Sequence, residues 1–235
     1  MNVRQPRWVV VAGVVLAPVL AGAWLAGHDR SPGPGAVTCP GGRPAVGDGG
    51  PSSLVGAIPR PWDLDPLLQA AASGEVEVVE RLLGEGADPG AKSGGGWTAL
   101  HMAAVFGHPD VAILLLEAGA DPRAATDLLT TPLHCAGRRG DLELITLLVE
   151  HGADPNAVSG VGQTPLHLVA ARGSADCVRA LLALGVEVNP KDANGCTPLD
   201  LALTCKTPEA ANVLRARGGC RSKDVPTGRP EPGRH

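Results

Sequence analysis

Tyrosine is absent from this chain of 235 residues, phenylalanine occurs once, and aromatics make up 2% of it. Clustered basic charge is missing too. Between residues 62 and 219, 11 Lys and Arg stand against 20 Asp and Glu, a net charge of −9. Non-specific nucleic-acid binding needs grouped cations to displace counterions, so nucleic acid is excluded as the expected partner. There is no Cys-x-x-Cys among the six cysteines, which removes the usual dithiol redox motif. Gly-rich phosphate loops, nucleophile elbows and the His-Glu-x-x-His pattern are also lacking. Acidic residues such as Glu75, Glu77, Glu80, Glu143 and Glu150 are spread along a solvated face instead of converging in pairs on a cleft. No catalytic or cofactor-binding set emerges, and no cofactor is expected.

What the chain does have is 44% hydrophobic residues, which excludes disorder throughout, together with 32 Gly and 22 Pro, which marks part of it as linker. Arg4 and Arg7 precede an uncharged run from Trp8 to Gly27. The run reads as an export signal within residues 1–27, with its basic end left in the cytoplasm. Two fates stay open. The small residues Ala21, Ala23 and Ala26, with Pro18, suit cleavage, whereas the length and the flanking Trp8 and Trp24 suit a retained anchor, in which case residues 8–27 are the only membrane contact. Residues 28–61 hold eight Gly and seven Pro and form a tether without a core, spanning up to roughly 100 Å at about 3.1 Å per residue. Residues 220–235 read as a disordered tail. The remainder is expected outside the cytoplasm, in a periplasm or secreted, and the Ala-, Gly- and Arg-rich composition suits a bacterial source.

Residues 62–219 repeat with a period of 33. Thr98, Thr131, Thr164 and Thr197 keep that step, as do Leu100, Leu133, Leu166 and Leu199, and Leu115, Leu148, Leu181 and Leu214. Asp65 stands one period before Thr98, with Ala70, Gly74, Leu82 and Gly86 in register behind it, so five units follow one another without insertion. Their bounds are about 62–91, 92–124, 125–157, 158–190 and 191–219. In one unit, Thr131 and Pro132 start a first helix that runs to about Arg139 and ends at Gly140. A second helix from Asp141 to His151 turns Leu144, Ile145, Leu147 and Leu148 inward, and Gly152 supplies a left-handed stop. Ala153 to Thr164 then returns as a hairpin-like loop. Helices this short are marginal alone and are stable only when stacked.

The strings Thr-Ala-Leu-His-Met-Ala, Thr-Pro-Leu-His-Cys-Ala and Thr-Pro-Leu-His-Leu-Val at 98, 131 and 164 resemble the ankyrin-repeat signature, and Gly-Ala-Asp-Pro closes the first three units. The resemblance implies an all-α solenoid of five helix-turn-helix units joined by hairpin-like loops, a monomer that binds a protein partner without catalysis. It also implies that His101, His134 and His167 hydrogen-bond across neighbouring loops. Spaced one per unit, about 10 Å apart, they cannot share an ion held at about 2 Å. Asp200 takes this place in the last unit and is expected to give it a wet outer face.

The resemblance further implies a binding surface of loop tips and the exposed side of first helices. Its register names Trp97, Val105 and Phe106, then Leu128, Thr130, Arg138 and Arg139, then Val161, Gln163 and Arg172. Trp and Arg are the residue types that dominate interface hot spots. Leu129 stands where the other loops have Gly96, Gly162 and Gly195, so its loop is expected to differ, since leucine disfavours positive φ. Lys206 replaces a helix-separating Gly, with Thr207 and Pro208 as a fresh cap. Among the cysteines, Cys177 sits in a core column and Cys135 in a first helix. Cys196 with Cys220 is the candidate disulfide, because the last helix pair brings both to one end. A thiol-dependent protein and a secreted effector acting in another cell remain rival classes.

Overall fold

The computed structural model describes residues 65–225. The expected export segment, the tether and residues 226–235 lie outside the described residues. Ten helices are found among those described, and they pair into five units: α1 (Pro66–Ser73) with α2 (Val76–Gly84), α3 (Ala99–Phe106) with α4 (Pro109–Glu117), α5 (Pro132–Arg139) with α6 (Leu142–Glu150), α7 (Pro165–Arg172) with α8 (Ala175–Ala183), and α9 (Pro198–Thr204) with α10 (Pro208–Ala216). Each first helix packs on the first helices of its neighbours and each second helix on the second helices, so the units form two parallel layers. The core lies between the layers. Leu100, Leu133 and Leu166 of the first helices and Leu115, Leu148, Leu181 and Leu214 of the second are all buried. This is the all-α solenoid of five helix pairs that the 33-residue period predicts.

The loops join as well as turn. Each closes on itself through a bond such as Ser159 N to Gln163 O at 2.9 Å, and each tip then bonds the next: Asp127 N to Gly95 O at 3.0 Å, Gly160 N to Leu128 O at 2.8 Å and Ala193 N to Val161 O at 3.1 Å. Main-chain groups that water would otherwise satisfy are therefore paired from unit to unit.

Two local expectations are corrected. Leu129 does take the left-handed conformation, at φ 54°, so its loop keeps the shape of its neighbours instead of departing from it. Tip bonds at the two residues just before it, Asp127 and Leu128, hold the backbone there against a cost of about 1 kcal/mol. Lys206 makes the same compromise at φ 57°. Thr207 does not cap α10 with its side chain. Its hydroxyl points back to donate to the carbonyls of Ala170 at 2.8 Å and Ala202 at 3.0 Å, tying the last unit to the one before.

The chain end also differs from the sequence expectation. Asp200 is buried, not wet, because residues 220–225 fold over it: Ser222 N donates to its carboxylate at 2.7 Å, and Arg221 lies 3.9 Å away. Arg221 O accepts from the amides of Asp224 and Val225, so the first residues of the supposed tail form an ordered turn that closes the stack.

Replacing Leu129 with Gly should remove the left-handed penalty and stabilise the protein by about 1 kcal/mol, seen as a rise in Tm of about 2–4 °C. An unchanged or lowered Tm would show that the leucine sits there without strain.

Candidate functional site

The repeat histidines are built in from three sides. Thr98 N donates to His101 Nδ1 at 3.2 Å, and the Thr98 hydroxyl lies 2.9 Å from the same nitrogen. A backbone N–H can only donate, so Nδ1 must keep its lone pair and the ring proton sits on Nε2. Nε2 then donates to Thr130 O in the next loop at 3.0 Å. His134 repeats the arrangement from Thr131 to Gln163 O, and His167 repeats it from Thr164 to Cys196 O, each at 3.0 Å. Both ring nitrogens are thus spent on structure, as the resemblance implies. Burial drives the His101 pKa down to about 4, against a smaller opposing effect of the Thr130 carbonyl, and it lowers His134 and His167 as well.

Two of the expected partner contacts are not on the surface. Trp97 is only 2% exposed and meets His101 edge-on, with ring centroids 5.6 Å apart. One unit back, Leu68 occupies the histidine register and cannot donate to the following loop, and it belongs with Trp97 to the one buried apolar cluster. Thr130 is buried too, its amide on Thr126 Oγ1 at 3.1 Å and its carbonyl on His101. Gln163 is half-buried, with its main chain engaged by Ser159 and His134.

The expected residues that do reach solvent fall into two places. At the loop tips, Leu128 is 52% and Val161 59% exposed, and the Gly160 to Leu128 bond joins their tips directly. Leu129 at 54% and Val158 at 56% flank them and were not among the expected contacts. An apolar residue in an otherwise polar tip was the signal available in the sequence. The second place is the far end of the first helices, where Val105, Cys135, Arg138, Arg139, Asp141 and Arg172 line an open groove of about 630 Å³. Phe106 is half-buried on the apolar cluster beside it.

The arginines of the groove are partly in structural use, which the sequence did not reveal. Arg172 Nε donates to Arg139 O at 3.1 Å, and Arg139 Nη1 lies 3.4 Å from Val105 O, each reaching the open carbonyl end of the preceding first helix. Gly107 makes this possible, since a Cβ there would overlap the Arg139 guanidinium. Arg139 Nε also stands 3.7 Å from Asp141. His108 and Thr207 reach the carbonyls of Ala72 and Ala170 in the same manner, so every unit after the first supports the helix end before it.

The candidate disulfide between Cys196 and Cys220 is not formed, because Cys220 is a free thiol. Its sulfur faces Gly218 O, while its amide is held by Asn189 at 2.7 Å and its carbonyl accepts from Thr197 at 2.8 Å. Two hydrogen bonds bring the ends together where a covalent bridge was expected. Burial pushes the Cys135 thiol up to about 12 and raises Cys177 and Cys205, so none of these three offers a thiolate at neutral pH.

Two family models match the chain: ankyrin repeats in three copies over residues 67–159, and ankyrin repeats in many copies over residues 148–202. No curated protein matches it.

The neutral histidines make a definite pH dependence. Unfolded imidazole titrates near 6.5, whereas folded His101 resists protonation until about pH 4, so the stability it carries is complete above pH 6.5 and is lost as pH falls from 6.5 towards 4. At pH 5, His101 alone should cost about 2 kcal/mol relative to pH 7.5. Asp200 adds its loss only at lower pH: burial raises its pKa, but hydrogen bonds from Thr197 and Ser222 outweigh this and hold the carboxyl below its ordinary 3.8. Urea midpoints that stay level between pH 7.5 and 5 would contradict the assigned tautomer.

Proposed function

Because the chain belongs to the ankyrin-repeat family, whose repeats are generally protein-interaction modules, we propose that it is an exported, non-catalytic binding module that docks a protein partner along the loop-tip edge of Leu128, Leu129, Val158 and Val161. The observation that carries the reading is Leu129. A residue in the left-handed conformation is ordinarily Gly, as at the matching positions of the other loops, yet here an apolar side chain is held half-exposed at a cost. Strain retained beside a cluster of exposed apolar groups is the pattern of a binding surface. The corrected surface keeps Leu128, Val161, Arg138, Arg139 and Arg172 from the sequence-based set and drops Trp97 and Thr130.

Export rests on the basic-then-apolar N-terminus and is supported by nothing else. Among the described residues no helix is long and apolar enough to cross a membrane, and the 8–27 run lies outside them. The raised pKa of Cys135, Cys177 and Cys205 favours binding over thiol chemistry at those three positions.

Crosslinked capture from the native envelope should recover a defined partner with the full chain. The double variant Leu128→Ser with Val161→Ser should lower that recovery about tenfold while leaving Tm within about 1 °C, since exposed substitutions change stability little. Equal recovery by the variant would remove the docking edge.

Fusing residues 1–61 to alkaline phosphatase, which folds only in an oxidising compartment, should yield active enzyme on the outer side of the membrane. Inactive fusion retained in the cytoplasm would refute export and leave the binding reading intact.

A further inference from the structure

We infer that the groove at the C-terminal ends of α5 and α7 receives an acidic peptide segment of the partner, with Arg138, Arg139 and Arg172 as its cationic wall; this rests on the protein-binding reading above and specifies the chemistry of what is bound. The charge distribution singles the groove out. Three of the 11 cations of residues 62–219 line it against a single carboxylate, Asp141, in a segment whose net charge is −9. Asp141 is itself occupied, capping α6 through Leu144 N at 3.2 Å. A local positive site on an acidic body is a place where a ligand of the opposite sign is both attracted and oriented.

The donor count points the same way. Each guanidinium carries five N–H groups in a planar fork. Arg172 commits its Nε to Arg139 O, and Arg139 commits one Nη1 contact to Val105 O. Among the described residues no carboxylate forms an ion pair with Arg138 or Arg172. Arg138 is half-buried, and burial disfavours its charge. Arginine in the last turn of a helix is favoured by the helix dipole, by about 0.3–1 kcal/mol. That effect accounts for Arg139 and Arg172, which also support the preceding carbonyls. It gives no reason to desolvate a second guanidinium beside Arg139, whereas a carboxylate entering the groove would complete that charge through a two-pronged hydrogen bond. A short peptide presents its few carboxylates locally. A nucleic acid brings a long run of phosphates against the net negative segment and is disfavoured.

Fluorescence anisotropy of a labelled octaglutamate peptide, titrated with the full chain, tests the inference. Saturable binding is expected. It should weaken about tenfold in Arg138→Gln and in Arg172→Gln, the loss of one charge-assisted hydrogen bond in each case. Arg179→Gln, on the exposed face of α8, should bind as the parent does. Binding should also fall as salt rises from about 0.1 M to about 1 M, where the Debye length shrinks from about 10 Å to about 3 Å. If Arg172→Gln melts early because it loses its carbonyl contact, Arg138→Gln still decides the matter, since among the described residues no hydrogen bond depends on that side chain. Absence of saturation with the parent chain, equal weakening in Arg179→Gln, or tighter binding of an oligothymidylate of equal charge would overturn the inference. Peptide binding that fails while capture still depends on Leu128 and Val161 removes the groove alone. Peptide binding that persists when capture ignores those two residues removes the docking edge alone.

Discussion

The stack depends on a neutral imidazole held between two loops. Its Nδ1 accepts from the threonine that starts its own helix, and its Nε2 donates to a carbonyl in the loop of the next unit, so one rigid ring fixes a helix start and an interface together. Helices of seven to nine residues have little stability of their own. Coupling each start to its neighbour converts five marginal pairs into a cooperative row, in which a unit is stable because the next one is present. The same requirement explains why the rings are buried and why their basicity falls. A second ring proton would point at a backbone N–H and leave a charge in an apolar wall.

The two end units of the row, each with one neighbour, show what can stand in place of the imidazole. In the first unit Leu68 stands in its register, buried with Trp97 in the common apolar core. In the last unit Asp200 keeps the first half of the device, accepting from Thr197 N at 3.1 Å and from the Thr197 hydroxyl at 3.0 Å. The second half reverses in sign. An imidazole would donate to a following carbonyl, but a carboxylate can only accept, and it takes Ser222 N from the chain's own continuation. The substitution from His to Asp therefore marks where the acceptor loop of a sixth unit gives way to a donor turn.

The features that repeat were legible in the sequence because each column is read four or five times. The bounds of α5 and α6 and the inward faces of Leu144 and Leu148 follow from residue chemistry at a fixed step, and the structural task of the histidines from the family resemblance that this step reveals. What occurs once was misread. Trp97 was assigned to the surface from its register, yet its indole is buried in the apolar core against the His101 ring of its own unit. Leu129 was expected to bend its loop away, but the cost of a left-handed leucine is smaller than that of breaking the tip-to-tip bonds beside it, so the backbone keeps its course. Cys196 and Cys220 were placed correctly at one end of the last pair, yet proximity is not bonding, and Asn189 and Thr197 hold Cys220 by its main chain. The reach of Arg139 and Arg172 to carbonyls one unit back had no sequence marker, because a long side chain at a helix end looks the same whether or not it bridges.

The loop-tip edge and the arginine groove occupy opposite ends of the same short helices. α5 begins at Pro132, just past the tip that carries Leu128 and Leu129, and ends at Arg139 in the groove wall. Eight residues at 1.5 Å each put about 12 Å between the two surfaces. That separation exceeds the 7–10 Å beyond which substitutions act independently. The only elements joining them are helices whose ends are fixed by the imidazole relay on one side and by the arginine-to-carbonyl contacts on the other. Under the proposed docking, a rigid span of this length would set the geometry a partner has to match, with apolar side chains at one end and carboxylates at the other, about four extended residues apart. The spacing between the two chemistries is thereby a property of helix length, and the eight residues of α7 repeat the one set by α5.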